Sequence, residues 1–198
     1  MGCDKSEKAV FDTIKNLEWI KKEYQISNIP AQGWSASPAR PPATLGVALR
    51  AGLVAGGGKY QVFQCDVRQL SKKVAANSVD VIVTEPYLGP ARGRRNGEQI
   101  KNIARELEQL YHEAVLQFAK ILKPDGRVVM IWPVFTTVDG GQPVYLNTKN
   151  ILKNSFFQKY NPLAGFKHKE LRLTDRNTLL YSRTEQKVLR EIVILDLQ

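Results

Sequence analysis

Near its middle the chain reads Asp80-Val81-Ile82-Val83-Thr84-Glu85-Pro86-Tyr87-Leu88-Gly89-Pro90, an apolar run that ends abruptly in an acid and a proline. Residues 79–83 are mostly β-branched, which is typical of a parallel strand covered on both faces. The prolines and the glycine after them predict that the chain leaves the strand in an irregular loop. We therefore expect a buried strand that presents Glu85 at its carboxyl end.

Helix-like and strand-like patterns alternate on both sides of this run. Helices are predicted, from apolar residues spaced three to four positions apart, over residues 6–24, 98–122 and 148–160. Strands are predicted, from β-branched or alternating runs, over residues 60–65, 79–83, 127–132, 166–173 and 187–195. The last two strands could pair antiparallel. This order predicts an α/β fold, a three-layer sandwich around a mostly parallel, doubly wound sheet with an antiparallel C-terminal hairpin.

Residues 30–58 have a different composition from the rest of the chain. They hold four of the ten prolines, six of the fourteen glycines and no acidic residue. We interpret them as an insertion or loop inside one partial domain that spans residues 1–198. The run Leu53-Val54-Ala55-Gly56-Gly57-Gly58 is a weaker candidate for a strand followed by a glycine turn.

Length, charge and cysteine content restrict the class of protein. The 198 residues are 43% hydrophobic and 24% charged, a balance that one globular domain can bury. No apolar run approaches the roughly 20 residues of a membrane helix, and no secretory signal precedes the charged N-terminus. Cys3 and Cys65 form neither a disulfide nor a zinc pattern, so we expect a cytoplasmic protein. The net charge of +10 predicts a nucleic-acid partner, although a basic enzyme without one fits equally well.

Three acids follow predicted strands or strand-like residues: Asp4, Asp66 and Glu85. Ligands of doubly wound sheets bind at the carboxyl ends of strands. There one carboxylate can accept hydrogen bonds from ribose hydroxyls, and another from an adenine amino group. Asp4 and Asp66 suit these two roles. The alternative, more common for an aspartate at a strand end, is that each caps the helix after it.

The run around Glu85 resembles the catalytic loop of S-adenosylmethionine-dependent amino-methyltransferases, which normally reads [Asn/Asp]-Pro-Pro-[Tyr/Phe]. It is most similar to the RNA branch, with the UPF0020-like tRNA guanine-N2 methyltransferases that often carry a THUMP domain. Weaker similarities follow in the family's order at Gly2-Cys3-Asp4, Cys65-Asp66-Val67-Arg68, Leu122-Lys123-Pro124-Asp125-Gly126-Arg127 and Tyr181-Ser182-Arg183. The resemblance implies a Rossmann-like class I methyltransferase fold with S-adenosyl-L-methionine as its cofactor.

The resemblance also implies a reaction and three catalytic residues. The reaction is methyl transfer to an exocyclic amine of an RNA base, above all guanine N2 during tRNA processing. Glu85 and the carbonyl of Pro86 would bond the hydrogens of that amine and orient its lone pair. Tyr87 would stack on, or form a wall against, the flipped-out base.

For the cofactor, the resemblance implies that Asp4 binds the ribose and that Asp66 and Val67 bind the adenine, with Glu85 bordering the same site. The family's first strand and the glycine-rich turn after it would stand before Gly2. We therefore expect an N-terminally truncated domain in which the first strand is missing. An inactive nucleic-acid-binding fragment without the cofactor's glycine loop is one alternative function.

The loop departs from the family pattern, and two alignments are open. Matching Glu85 to the family's acid puts Leu88 in the position of the stacking aromatic residue. Matching Tyr87 to that aromatic residue puts Thr84 in the position of the acid. We prefer the first alignment, because Val83 and Thr84 precede the acid as in the family.

Basic residues follow the loop at Arg92, Arg94 and Arg95. We expect them to bind RNA phosphates beside the target base, with an ordinary solvated loop as the alternative. DNA adenine-N6 methyltransferases share the same kind of loop and provide a second alternative function. The three tryptophans follow no cofactor pattern and are interpreted as packing residues: Trp19, Trp34 and Trp132.

Overall fold

The chain folds as two compact units, Met1–Lys73 and Val74–Gln198, in a computed structural model. The structure describes residues 1–23, 48–54, 58–90, 96–136, 142–164, 171, 173–183, 186 and 188–198. None of the helices in these ranges is long and apolar enough to cross a membrane. The expectation of one domain with an insertion stays a prediction.

The first unit is a three-stranded sheet with one long helix. Its elements are β1 (Gly2–Asp4), α1 (Glu7–Glu23), β2 (Ala48–Val54), β3 (Gly58–Gln64) and a 3₁₀ helix (Val67–Lys72). Strand β3 lies in the middle, parallel to β1 and antiparallel to β2. The predicted first helix is confirmed, and Ser6 caps it: the Ser6 hydroxyl accepts a hydrogen bond from the amide of Ala9 at 3.3 Å.

Strand β2 falls inside the segment that was interpreted as a loop. The structure therefore differs from that interpretation at Ala48–Val54, where the chain pairs with β3. The register of this pairing shifts between Ala51 and Val54. The remainder of the segment up to residue 47 lies outside the described residues.

The second unit is a larger mixed sheet built around two long strands. Its elements are β4 (Val79–Thr84), α2 (Gly97–Ile121), β5 (Leu122–Phe135), β6 (Val144–Tyr145), α3 (Thr148–Leu152), β7 (Phe157–Tyr160), β8 (Leu179–Tyr181) and β9 (Val188–Leu197). The strand order is β4-β5-β9-β7, with β6 paired to β5 and β8 paired to β9. Strands β4 and β5 are parallel, and every pairing of β9 is antiparallel. The predicted α/β class with antiparallel C-terminal strands is confirmed, but the described pairings of this sheet are mostly antiparallel, whereas a mostly parallel sheet was expected.

The core of the second unit lies between β5 and α2. Alternate side chains of β5 are completely buried: Val128, Met130, Trp132 and Val134. Helix α2 packs against this strand. A capping box starts the helix, since the Asn96 side chain accepts from the amide of Gln99 at 2.9 Å and the Gln99 side chain accepts from the amide of Asn96 at 3.2 Å.

The prediction that β4 is covered on both faces is wrong. Val81 and Val83 are 53% and 75% exposed. Strand β4 stands at the end of the strand order in its unit, where its one strand neighbour in the described part of the chain is β5. A strand at a sheet edge can keep its apolar sequence and still expose one face.

The predicted helix over residues 148–160 is also wrong in its second half. Helix α3 ends at Leu152, and Phe157–Tyr160 forms β7. Asn154 and Phe156 have φ angles of 56° and 58°, in the left-handed region that a right-handed helix cannot contain. The chain therefore turns at these residues and enters the sheet.

Strand β9 pairs antiparallel with each of its neighbours in the described part of the chain. The neighbours of β9 are β5, β7 and β8. Residues 165–170, where the other member of the predicted pair begins, lie outside the described residues. Leu173, at the end of that predicted strand, forms an isolated antiparallel bridge with Leu179.

Candidate active site

The predicted catalytic loop leaves β4 at the strand's carboxyl end, as expected. The last residue of β4, Thr84, pairs with Met130 of the parallel strand β5. One carboxylate oxygen of Glu85, Oε1, accepts a hydrogen bond from Nε of Arg190 at 2.8 Å. The side chains of Glu85 and Arg190 are 47% and 34% exposed. Glu85 is thus held by a residue of β9, a strand that does not pair with β4.

Tyr87 has its backbone anchored and its ring exposed. Its carbonyl oxygen accepts a hydrogen bond from the phenol of Tyr111 at 2.8 Å. Tyr111 lies on α2 and is completely buried, whereas Tyr87 is 61% exposed. Burial raises the pKa of the Tyr111 phenol, and the negative charge of Glu85 raises it further. The phenol therefore stays protonated and remains a hydrogen-bond donor.

Gly89 provides a second point at which the loop meets α2. Its φ angle is +89°, a conformation that side chains disfavour. A Cβ atom built on this residue would lie 3.2 Å from Cγ2 of Ile103, 3.4 Å from Cδ1 of Leu107 and 3.4 Å from Cζ of Phe135. The backbone conformation favours glycine here, and a Cβ atom would also require a small shift of the Ile103 side chain.

The structure brings Asp4 and Asp66 together in the first unit. They lie at the carboxyl ends of the parallel neighbours β1 and β3, and the amide of Cys65 donates to the carbonyl of Asp4 at 2.8 Å. Oδ1 of Asp4 accepts from the amide of Ser6 at 2.7 Å. In the described part of the chain no partner holds its other carboxylate oxygen.

Asp66 caps the 3₁₀ helix that Val67 begins. Its Oδ1 accepts from the amide and from Nε of Arg68, both at 3.0 Å, and its Oδ2 accepts from Nη2 of the same arginine at 2.6 Å. Lys5 adds a cation 3.6 Å from Oδ2. The hydrogen bonds from the Arg68 side chain are the main reason why the pKa of Asp66 lies well below its ordinary range. Asp66 therefore caps the helix after it, the alternative that the sequence left open, whereas Asp4 accepts from the amide of Ser6, the residue that caps α1.

Three residues of this arrangement were not predicted from the sequence. Arg190, Tyr111 and Gly89 were not identified as site residues. Tyr111 had a signal, because it stands four positions after Leu107 on the apolar face of α2. The predicted phosphate-binding arginines lie in residues 91–95, outside the described residues.

The tryptophans also differ from expectation. Trp132 is completely buried and is a packing residue, as predicted. Trp19 on α1 is 57% exposed, so the packing interpretation is wrong for this residue. Trp34 lies outside the described residues.

Several solved structures are similar to this chain at low sequence identity. No protein-family model matches the sequence, and no match was found among curated proteins. A protein proposed to be a DNA modification methylase, from Thermus thermophilus, is 15% identical over 67% of this chain and 52% of its own, with a TM-score of 0.43. That protein has also been solved in complex with S-adenosyl-L-methionine. This chain spans about half of its length.

Two further structures have comparable similarity. TrmN from Thermus thermophilus is 16% identical over 69% of this chain and 28% of its own, with a TM-score of 0.38. A SAM-dependent methyltransferase from Methanosarcina mazei is 12% identical over 74% of this chain and 72% of its own, with a TM-score of 0.40.

Proposed function

We propose that this protein transfers a methyl group from S-adenosylmethionine to an exocyclic amine of an RNA base, with guanine N2 of a cytoplasmic tRNA as the first candidate. One observation carries the proposal. The loop Glu85-Pro86-Tyr87 stands at the carboxyl end of β4 with a half-exposed carboxylate and an exposed aromatic ring on an anchored backbone. The reaction requires an acceptor for the hydrogens of the amine and an aromatic ring that stacks on the base.

The chemistry of the amine explains the role of Glu85 and Pro86. An exocyclic amine is a weak nucleophile, because its lone pair is delocalised into the base. Two fixed acceptors, a carboxylate oxygen and a carbonyl oxygen, can bond its two hydrogens and hold the nitrogen in one orientation. Oε1 of Glu85 accepts a hydrogen bond from Arg190, so Oε2 is the oxygen that we propose accepts from the amine. Glu85 is also the group that would accept the proton that the amine loses.

The cofactor proposal rests on the first unit. When bound, S-adenosylmethionine supplies a methyl group on a positively charged sulfur. Asp4 fits the ribose, because one of its carboxylate oxygens stays available after the other has accepted from the Ser6 amide. Asp66 fits the adenine amine less well, since Arg68 already uses both of its oxygens. We therefore propose Asp4 as the main contact, with Asp66 and the backbone of Val67 as weaker ones.

An RNA substrate is supported by charge. Lysines and arginines exceed acids by ten, 29 against 19. Cations that contact phosphates supply affinity without selecting a sequence. We propose that Arg92, Arg94 and Arg95, which follow the loop directly in the sequence, provide part of this affinity.

The test is transfer of a tritiated methyl group to unmodified tRNA and, separately, to duplex DNA. The full chain should label tRNA, and Glu85→Gln should reduce the rate at least about a hundredfold, as expected for loss of a positioned acid-base group. Asp80→Asn is the matched control. Asp80 lies on β4 and, like Glu85, is a carboxylate paired with a cation, Lys123 at 2.6 Å, and removing its charge should leave the rate unchanged.

The outcomes separate the alternatives. Label on DNA instead of tRNA would identify a DNA amino-methyltransferase. Label on tRNA that Glu85→Gln does not reduce would show that the loop is not the catalytic site. If the chain binds RNA but neither labels it nor binds S-adenosylmethionine in calorimetry, it is an inactive nucleic-acid-binding fragment.

A further inference from the structure

We propose that Tyr111 is a positioning residue that holds the ring of Tyr87 outward, where it can stack on a base that is unpaired. This inference rests on the proposed function and specifies its substrate class, a nucleotide in a single-stranded or loop region. It starts from a contrast within one residue of the loop. Tyr87 is 61% exposed, like Val81 and Val83 of β4, whereas its carbonyl oxygen contacts the completely buried Tyr111.

An aromatic ring in such a place would gain free energy by turning inward. The backbone of Tyr87 opposes that turn, because its carbonyl points inward to the phenol of Tyr111 at 2.8 Å. If the backbone of Tyr87 shifted so that the ring became buried, its carbonyl would leave the phenol of Tyr111, which would remain as a buried donor without an acceptor. That loss is comparable with the gain from burying a ring. The hydrogen bond therefore opposes burial of the ring.

The residues on both sides of Tyr87 also restrict the backbone conformation of the loop. Pro86 has a fixed φ angle. Gly89 has a positive φ angle and lies next to Ile103 and Leu107 of α2, the helix that also carries Tyr111. Only Tyr87 and Leu88 remain between these points with ordinary backbone freedom. One hydrogen bond in so short a segment shifts its conformational equilibrium toward the observed state.

The substrate class follows from the exposed ring. An aromatic side chain with one open face stacks on any base whose own face is free. The bases of a duplex are stacked on their neighbours, so a target there must first be extruded, at a cost of unpairing. Nucleotides in single-stranded segments and loops avoid this cost, and we expect them to be preferred.

Tyr111→Phe tests the inference, with Tyr160→Phe as the matched control. Both changes remove one hydroxyl group and keep the ring. Tyr160 lies on β7, with the guanidinium carbon of Arg127 at 4.2 Å from the centre of its ring. We expect Tyr111→Phe to raise hydrogen exchange at the amides of Leu88 and Gly89 about tenfold, the equivalent of one hydrogen bond. The kcat/KM for a single-stranded RNA should fall about tenfold as well, with the KM for S-adenosylmethionine unchanged. Tyr160→Phe should change neither.

A second substrate and a second variant complete the experiment. The wild-type protein should label a single-stranded RNA faster than the same RNA annealed to its complement, and Tyr111→Phe should reduce that preference. If Tyr111→Phe lowers the melting temperature too far for assay, Gly89→Ala disturbs the same loop and leaves the buried phenol in place. It should give the same exchange and kinetic changes.

Each result bears on a different statement. Equal exchange and equal kcat/KM in the two phenylalanine variants would overturn the inference. So would faster exchange in Tyr111→Phe with unchanged kcat/KM, because the ring's position would then not matter to the reaction. If the wild-type protein transfers no methyl group at all, the proposed function fails. The inference is then tested separately by fluorescence anisotropy with single-stranded RNA. Weaker binding by Tyr111→Phe than by Tyr160→Phe would support it, and equal binding would overturn it.

Discussion

Asp66 and Glu85 are both carboxylates at the carboxyl end of a strand, and both accept hydrogen bonds from an arginine. Asp66 is held by Arg68, two residues away, which also donates through its backbone amide. Glu85 is held by Arg190, 105 residues away on β9. The carboxylate of Asp66 therefore stabilises its own turn, whereas Glu85 gains its partner only after β9 has joined the sheet. The first is a local structural contact, and the second depends on the whole second unit.

Removing the distant arginine should give the largest effect in this comparison. In Arg190→Met, Glu85 loses the contact that fixes Oε1, and we expect the methyl-transfer rate to fall about tenfold, the equivalent of one charge-assisted hydrogen bond. The free energy of unfolding should change by less than about 1 kcal/mol, because the pair is partly exposed. Rate assays and thermal unfolding measure the two effects.

Arg127→Met is the control for that variant. Arg127 also reaches a carboxylate on β9 over a long sequence separation, at 2.6 Å from Asp196. It should leave the rate unchanged. A slow Arg127→Met variant would mean that long-range ion pairs act on the sheet in general, and the role assigned to Arg190 would be lost.

Removing the local carboxylate should act on stability first. Asp66→Ala deletes the N-cap of the 3₁₀ helix and the partner of Arg68, which should cost the first unit about 1–2 kcal/mol. Chemical denaturation followed by a probe in residues 1–73 measures the change. An unchanged stability at that probe would contradict the stabilising role of the Asp66 contacts.

Asp66→Asn should give the smallest effect and a distinctive dependence on pH. Asparagine can still cap the helix, so only the charge is lost, and we expect about 0.5–1 kcal/mol at pH 7. The pKa of Asp66 is lowered on folding from an ordinary value of 3.8. Its charge therefore adds stability above that value, and this stability is lost as the pH falls through the lower pKa of the folded state.

The measurement is the difference in unfolding free energy between the wild-type protein and Asp66→Asn from pH 7 to pH 2. The difference should be constant near neutrality and should shrink below the ordinary pKa. A difference that grows on acidification would show that the sign assigned to this group is wrong.

Contacts between neighbours in sequence were accessible without a structure. The helix after Ser6 was predicted because its cap and its apolar spacing both lie within a few residues. The position of Glu85 at the end of β4 was predicted for the same reason. In contrast, the pair between Glu85 and Arg190 joins residues too distant for any local pattern, and the contact from Tyr111 depends on how α2 packs beside the loop.

The misassigned end of the helix after Thr148 has a different cause. Residues 148–160 have helical spacing of apolar side chains, so the pattern favours one continuous helix. The turn depends on left-handed conformations at Asn154 and Phe156. Asparagine tolerates that region, but phenylalanine rarely adopts it. Pairing of β7 with β9 overrides the local preference, and such tertiary pairing leaves no mark in the spacing of side chains.

The contrast between two tryptophans gives each unit its own optical signal. Trp132 is completely buried, and no acceptor meets its indole nitrogen in the described part of the chain, whereas Trp19 is largely exposed to water. An indole in apolar surroundings fluoresces at shorter wavelength than one in water. With Trp34 replaced by phenylalanine, the blue edge of the emission should follow the second unit and the red edge the first, so one denaturation scan can show whether the two unfold together.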